Sequence, residues 1–136
     1  MSPTSDIRTS LSRCRTIAVV GLSPKPHRDS FRVSQYMQAQ GYQIVPVNPM
    51  ANEVLGERCY PTLTEAAAQH RIDMVNCFRN AEDIPPIAEE AIAIGAHALW
   101  LQLGIVHDAA CERARAAGLW VVQDRCLMVE HARLQT

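Results

Sequence analysis

The segment from Gly21 to Arg32, GLSPKPHRDSFR, carries residue types that bind anions. Glycine has no Cβ and lets a ligand approach the backbone closely. Hydroxyl groups and positive charges follow Gly21 and suit phosphate oxygens; they belong to Ser23, Lys25, Arg28, Ser30 and Arg32. A helix that begins near Ser30 would add free backbone amides and the positive end of its dipole. The combination favours a phosphate site over the alternative, a solvated basic loop with an ordinary turn glycine.

This loop departs from the fingerprint of a nicotinamide dinucleotide site. That fingerprint has three glycines after the first strand and an acidic residue at the end of the second, which binds the ribose. Here Gly21 stands alone, the second predicted strand runs into Val47–Met50 (VNPM), and the nearest following acid is Glu53. We therefore expect a phosphate-containing ligand other than NAD.

A second candidate for chemistry is Cys126 with His131, as nucleophile and base. Residues five apart on a helix do not share a face well, and no acid is placed to orient the imidazole. We therefore predict no catalytic residues, and keep thiol exchange at Cys126 as the alternative because it follows the fifth predicted strand. No ligand spacing links the other histidines to Cys, Asp or Glu, so no metal site is predicted; they are His27, His70, His97 and His107.

Composition limits the class of protein. The chain has 136 residues, of which 48% are apolar, and a net charge of −1, which suits one domain over residues 1–136. Balanced charge and the lack of a binding motif argue against nucleic acid as a partner. No apolar run reaches the about 20 residues of a membrane helix, and the N-terminus lacks a signal-peptide core. The five cysteines are odd in number and form no CxxC pair, so we expect reduced thiols and a cytoplasmic location.

Apolar, β-rich segments alternate with helical patterns along the chain. The predicted strands are Thr16–Val20, Tyr42–Val47, Ile72–Phe78, Ala98–Leu101 and Leu119–Val122. The predicted helices cover residues 6–13, a segment from an N-cap at Ser30 to Gly41, Thr64–His70, a segment from an N-cap at Asp83 to Gly95, Asp108–Ala117 and residues 125–134. Pro46 is expected to end the pairing of the second strand, because proline lacks the N–H that an inner strand needs for its hydrogen bonds to both neighbours.

Alternating strands and helices with short connections predict right-handed crossovers and a parallel sheet covered on both faces. We expect a three-layer, Rossmann-like α/β fold with five parallel strands in the order 3-2-1-4-5. Ligands of such sheets bind at the carboxyl ends of the strands, near the first strand. The basic loop after the first strand lies at that edge.

Four segments together resemble a known family. They are Ile17–Pro49 (IAVVGLSPKPHRDSFRVSQYMQAQGYQIVPVNP), Val75–Pro85 (VNCFRNAEDIP), Ala98–Ile105 (ALWLQLGI) and Val121–His131 (VVQDRCLMVEH). The VGxS loop, the PVNP turn and the DRC segment in combination resemble the stand-alone CoA-binding domain family, which is related to the N-terminal domain of the succinyl-CoA ligase α subunit. The resemblance covers nearly the whole chain.

The resemblance implies that CoA, free or acylated, lies across the strand ends. Its phosphates would contact the loop after the first strand, at Gly21, Ser23, Lys25 and Arg28. Its nucleotide part would border the turn after the second strand, at Val47, Asn48 and Pro49. At the end of the third strand, Phe78 and Arg79 would close over the ligand. The pantetheine arm would lie nearer the segment after the fourth strand, at Leu103, Gly104 and Ile105.

The sequence leaves three functions open. The first is a non-catalytic sensor, carrier or regulatory module for CoA. The second is a CoA-dependent transferase or thiol-exchange enzyme that uses Cys126, and the third is a CoA-binding subunit that regulates a protein partner. The family pattern suggests a basic residue shortly after Cys126, but Leu127 and Met128 stand there. The resemblance also stops before the phosphohistidine domain of the ligases, so it implies binding without catalysis.

Overall fold

The computed structural model describes residues 3–135 and contains seven strands and six helices within them. The strands are β1 (Thr16–Val20), β2 (Gln43–Val47), β3 (Glu53–Val54), β4 (Glu57–Arg58), β5 (Met74–Cys77), β6 (Ala98–Leu101) and β7 (Trp120–Val122). The helices are α1 (Pro3–Ser12), α2 (Asp29–Ala39), α3 (Leu63–Gln69), α4 (Ile84–Ala93), α5 (Asp108–Ala116) and α6 (Leu127–Arg133), with a 3₁₀ turn at Ala81–Asp83 before α4. The five predicted strands are confirmed to within one or two residues at each end.

The five long strands form one parallel sheet with helices on both faces, which confirms the predicted fold class. Every residue of β1 is buried. Ala18 and Val20 face a core closed by α3, α4 and α5. Ile17 and Val19 face a second core closed by α1, α2 and α6. None of the helices in residues 3–135 has the length and apolar run that crossing a bilayer requires.

The strand order differs from the prediction. It is β2-β1-β5-β6-β7, or 2-1-3-4-5 among the strands of the sheet, instead of 3-2-1-4-5. The reason lies at the outer edge of β2, where Tyr60 is already paired. Its N–H donates to the Pro46 carbonyl (3.0 Å) and its carbonyl accepts from the Asn48 N–H (2.9 Å). Tyr60 uses groups that a neighbouring strand would need, and β5 pairs instead with the free edge of β1.

Pro46 does not end the pairing of β2, contrary to the expectation from sequence. It lies within the ladder opposite Val19, and pairing continues to Val47 opposite Val20. The Pro46 carbonyl accepts from Tyr60 on the outer side of β2, and the nitrogen of a strand residue points to the same side as its carbonyl. The missing N–H therefore faces outward from an edge strand, where proline is tolerated.

Ser30 is not the N-cap of its helix. Helix α2 begins one residue earlier, at Asp29, with Arg28 as the N-cap residue. The Ser30 side chain is buried and its Oγ accepts a hydrogen bond from the Ser23 N–H (3.0 Å). Ser30 therefore fastens the preceding loop to the helix.

The hairpin β3–β4 was not predicted. Leu55 and Gly56 form its turn with positive φ angles of 56° and 76°, as a two-residue primed turn requires. Leucine is an unusual residue at the first of these positions, where asparagine or aspartate is the common signal. The hairpin forms a separate two-stranded sheet that precedes Tyr60 in the chain.

Gly21 is held where no side chain fits. Its φ is +88°, and a Cβ built on it would lie 2.6 Å from the Phe78 carbonyl oxygen. Its N–H donates to the Val47 carbonyl (2.8 Å), while the Phe78 N–H donates to the Val20 carbonyl (2.9 Å). These bonds bring the carboxyl ends of β1, β2 and β5 together at one point.

We predict that Gly21→Ala lowers the free energy of unfolding much more than Gly56→Ala. Both glycines have positive φ, which costs an L-residue about 1–2 kcal/mol. Only Gly21 also meets backbone, because a Cβ on Gly56 has no atom within 4 Å. Urea denaturation should show a loss of about 3 kcal/mol or more for Gly21→Ala. Equal losses in the two variants would contradict the close approach to Phe78.

Candidate functional site

Three adjoining recesses surround the carboxyl ends of β1, β2, β5 and β6. The large recess, of about 500 Å³, lies between the starts of α2 and α6 and the segment after β6. The loop recess, of about 460 Å³, lies over the segment between β1 and α2. The strand-end recess, of about 240 Å³, lies between the turn after β2 and α4. Phe78 and Arg79, directly after β5, lie where the recesses meet: Phe78 lines the first two and Arg79 the first and third.

The loop recess collects the predicted anion-binding residues. Its lining includes Gly21, Ser23, Lys25, Arg28 and Ser30. Hydrogen bonds within the loop shape it, since the Lys25 N–H donates to Ser23 Oγ (3.1 Å) and the Arg28 N–H donates to the Lys25 carbonyl (3.0 Å). Lys25 and Arg28 are exposed and form no ion pair with another residue of the described part of the chain. The recess therefore holds positive charge that no protein carboxylate neutralises.

The start of α2 borders both the loop recess and the large recess. No side chain caps it, so its first-turn amides have no partner within the helix. The carboxylate of Asp29, which lines both recesses, forms an ion pair with Arg32. Arg32 also donates to the His27 carbonyl (2.6 Å). Arg32 is thus bonded within the helix start. The sequence grouped it with Lys25 and Arg28 as a cation for phosphate, and the structure separates it from those two.

The turn after β2 divides its residues between two roles. Val47 and Pro49 line the strand-end recess with the apolar side chains of Leu63 and Ile87. Asn48 lines none of the three recesses. Its Nδ2 donates to the Leu22 carbonyl (2.9 Å) and its Oδ1 accepts from the Met50 N–H (2.9 Å). Asn48 is therefore a positioning residue, which ties the loop after β1 to the turn after β2.

The large recess brings Phe78 and Arg79 together with all three predicted residues after β6, Leu103, Gly104 and Ile105. Arg79 pairs at 3.4 Å with Asp83, the last residue of the 3₁₀ turn before α4. The Gly104 N–H donates to Asp124 Oδ1 (2.7 Å), which joins the segment after β6 to the segment after β7.

Several residues of this recess carried no prediction as binding residues. They are Asp29, Val33, Asn80, Ala81, Gln102, Met128 and Val129. The buried Gln102 is the most informative, since its Oε1 accepts from the Leu127 N–H (3.3 Å) and from Asn76 Nδ2 (3.4 Å). It joins the end of β6 to the start of α6. A polar residue directly after the apolar strand ALWL was the signal that could have identified it.

The cysteines differ in environment. Burial raises the pKa of Cys14 to about 12, helped by the nearby charge of Asp73, and burial also raises the pKa of Cys59, Cys77 and Cys111. Those four are buried, and all five are free thiols. Cys126 is half-buried at the N-cap of α6 and lines the large recess. It is the thiol that a ligand in that recess would meet.

His131 is engaged away from Cys126. Its Nδ1 lies 2.9 Å from the Tyr36 hydroxyl, and its ring packs edge-on against Tyr36 and Tyr42. It lines a separate recess with Cys14. No group of three or more metal-ligating side chains occurs between residues 3 and 135. Cys126 and His131 thus line different recesses.

Comparison with known proteins decides the family. Residues 15–132 match the family described as CoA binding domain. The chain belongs to this CoA-binding domain family. The resemblance drawn from the loop, the PVNP turn and the DRC segment is therefore confirmed.

Relatives of this CoA-binding domain protein cover nearly its full length. The uncharacterized protein YneT of Bacillus subtilis is 41% identical over 128 residues, which are 94% of this chain and 93% of YneT. A hypothetical protein from Pyrococcus horikoshii has a solved structure that is 39% identical, with a TM-score of 0.93 over 99% of this chain and 94% of the other. A dinucleotide-forming acetyl-coenzyme A synthetase from Ca. Korarchaeum cryptofilum matches 81% of this chain and 26% of its own, at 19% identity and a TM-score of 0.70. That last match shows a shared fold alone.

We predict that His131 makes the stability of the protein depend on pH. Burial lowers the pKa of its imidazole, whereas in the unfolded chain it titrates near its ordinary value of about 6.5. Between these two pKa values the unfolded state holds more protons, so the free energy of unfolding falls as the pH falls below about 6.5. The loss is complete below the folded-state pKa.

Urea denaturation at about pH 7.5 and about pH 5.5 tests this, with His131→Gln as the comparison. The variant should lose less stability over this interval than the wild type, because glutamine does not titrate. Carboxylates titrate in both proteins and cancel in the difference. Identical losses would show that His131 makes no contribution.

Proposed function

We propose that this CoA-binding domain protein binds coenzyme A, free or acylated, along the carboxyl ends of its strands and does not transform it. The observation that supports the proposal is the meeting of three chemically different recesses at Phe78 and Arg79. One recess is cationic, one is small and largely apolar, and one is large and mixed. CoA has three parts with matching chemistry: phosphates, a nucleoside and a pantetheine arm.

The phosphates of CoA would occupy the loop recess. Lys25 and Arg28 supply charge there, Ser23 supplies a hydroxyl, and the uncapped start of α2 supplies amides. Gly21 shapes the recess indirectly, because its missing Cβ makes room for the Phe78 carbonyl and its N–H is bonded to Val47. Two charged side chains and one hydroxyl group would thus replace part of the glycine-rich backbone cradle of a dinucleotide site.

The other two parts of the ligand would extend from this point. The strand-end recess adjoins the loop recess at Gly21 and offers apolar walls to an adenine ring, at Val47, Pro49 and Ile87. The large recess adjoins the loop recess at Asp29 and Phe78 and would take the pantetheine arm between Leu103 and Cys126. For the pantetheine amides, the Gln102 side-chain nitrogen and the Gly104 carbonyl are the candidate polar partners there, because Gln102 Oε1 and the Gly104 N–H are already bonded within the protein.

We propose a sensor, carrier or regulatory role in the cytoplasm. Five free thiols suit a reducing compartment. The third function, a CoA-binding subunit that regulates a protein partner, is compatible with the same site and differs only in the step after CoA binds.

We predict that CoA stabilises the protein against heat more than NAD or ATP at equal concentration, and that Arg28→Ala weakens CoA binding. A hydrogen bond to a charged group contributes about 1.5–3 kcal/mol, so the affinity should fall about tenfold or more. The matched control is Arg71→Ala. Arg71 is 95% exposed and pairs weakly with Asp73 (3.9 Å) just before β5, at the opposite end of the sheet.

Isothermal titration of CoA into the three proteins measures this effect. Dephospho-CoA shows in addition whether Arg28 contacts the 3′-phosphate, because the loss should then be small for that ligand. An unchanged affinity in Arg28→Ala would remove this residue from the site, and a larger thermal shift with NAD would refute the choice of CoA.

Thiol exchange at Cys126 is the second candidate function, favoured by the position of this thiol on the large recess. The Cys126 thiolate would attack one sulfur of a CoA disulfide, form a Cys126–CoA mixed disulfide and release the second CoA as a thiolate. The reaction needs no further oxidant.

We predict that the protein alone does not turn over thioesters. A catalyst needs a base or acid within reach of the reacting atom, and His131 is engaged by Tyr36. Acetyl-CoA and succinyl-CoA are incubated with wild type and Cys126→Ser, and free thiol is followed over hours. Steady thiol release that disappears in Cys126→Ser would establish the enzyme instead. A single stoichiometric burst would indicate a covalent adduct without turnover.

A further inference from the structure

The large recess has an apolar mouth that CoA itself does not explain. Among the described residues, four large apolar side chains are exposed: Met50, Leu103, Val106 and Val129. Leu103, 66% exposed, and Val129, 41% exposed, line this recess from two different elements, the segment after β6 and helix α6. Val106 is exposed but does not line the recess. Apolar surface concentrated at the edge of a recess marks a place where an apolar group binds.

The charges of the same recess disfavour an acidic group. Arg32 and Arg79 are the arginines of its lining, and each already pairs with a carboxylate, Asp29 and Asp83. Lys25 and Arg28, which are exposed and form no ion pair with a described residue, line the loop recess instead. A carboxylate at the end of an acyl chain would therefore find no uncommitted cation in the large recess. Leaving such a charge unpaired against the apolar side chains of Leu103 and Val129 is costly.

We infer that the large recess selects an uncharged, apolar acyl-CoA, whose acyl chain covers Leu103 and Val129 beyond the thioester. This inference rests on the proposed function, because the phosphates must be held in the loop recess for the acyl chain to reach this mouth. Met128 and Ile105 also line the recess and extend the apolar wall. Short straight chains match a recess of about 500 Å³ that also receives the pantetheine arm.

The experiment measures the affinities of the wild-type protein for CoA, acetyl-CoA, butyryl-CoA, hexanoyl-CoA and succinyl-CoA by isothermal titration. Each buried methylene should tighten binding about two- to fourfold, so hexanoyl-CoA should bind at least about tenfold more tightly than acetyl-CoA. Butyryl-CoA and succinyl-CoA have acyl groups of equal carbon number and form the matched pair for charge. Succinyl-CoA should bind at least about tenfold more weakly than butyryl-CoA.

Two matched variants locate the effect. Val129→Asp places a carboxylate at the mouth and should reduce the ratio of hexanoyl-CoA to CoA affinity to about threefold or less. Val106→Asp makes the same change on a residue that does not line the recess and should leave that ratio as in the wild type. Both residues are exposed, so folding should survive, and circular dichroism checks it.

The outcomes separate this inference from the function on which it rests. Equal affinities across the acyl series, tighter binding of succinyl-CoA than of butyryl-CoA, or an unchanged ratio in Val129→Asp would overturn the acyl preference while CoA binding stands. Failure of CoA and of all four thioesters to bind would overturn both.

Discussion

The contact between Gly21 and the Phe78 carbonyl sets the geometry of the whole strand-end edge. Gly21 occupies a backbone conformation with positive φ and leaves no room for a Cβ beside β5. Its N–H binds the Val47 carbonyl on its other side, so the ends of three strands converge on one residue. The loop after Gly21 must then leave the sheet between β2 and β5, and it places its cations above the same point. A bulkier residue would separate the strand ends and the recesses that meet there.

Three polar side chains hold this edge in shape. Asn48 joins the loop after β1 to the turn after β2, Ser30 joins that loop to α2, and Gln102 joins the end of β6 to the start of α6. Each bonds backbone groups that would otherwise be buried without partners, which carries a high cost. Lys25 and Arg28 take no part in these bonds and are exposed at the loop recess.

The three recesses explain how one small domain could hold a long, chemically mixed ligand. Cationic, apolar and mixed surfaces lie side by side because three loops converge at the carboxyl ends of parallel strands. The ion pairs of Arg32 and Arg79 remove two of the available cations from this surface, so positive charge remains concentrated on one loop. The family match to residues 15–132 agrees with a ligand that carries phosphates at one end only.

The sequence by itself determined the strands, the fold class and the basic loop, because apolar runs, helix stops and the segment after Gly21 are local patterns. It also contained an unused signal for the strand order, since Pro46 fits an edge strand and the predicted order placed β2 inside the sheet. Only the tertiary structure decided that order, through the bonds of Tyr60 to β2, which join residues distant in sequence. It also decided that Asn48 and Ser30 position loops, and that Met128 and Val129 line the recess with Phe78. Such roles depend on distances between separate loops, and no local pattern encodes them.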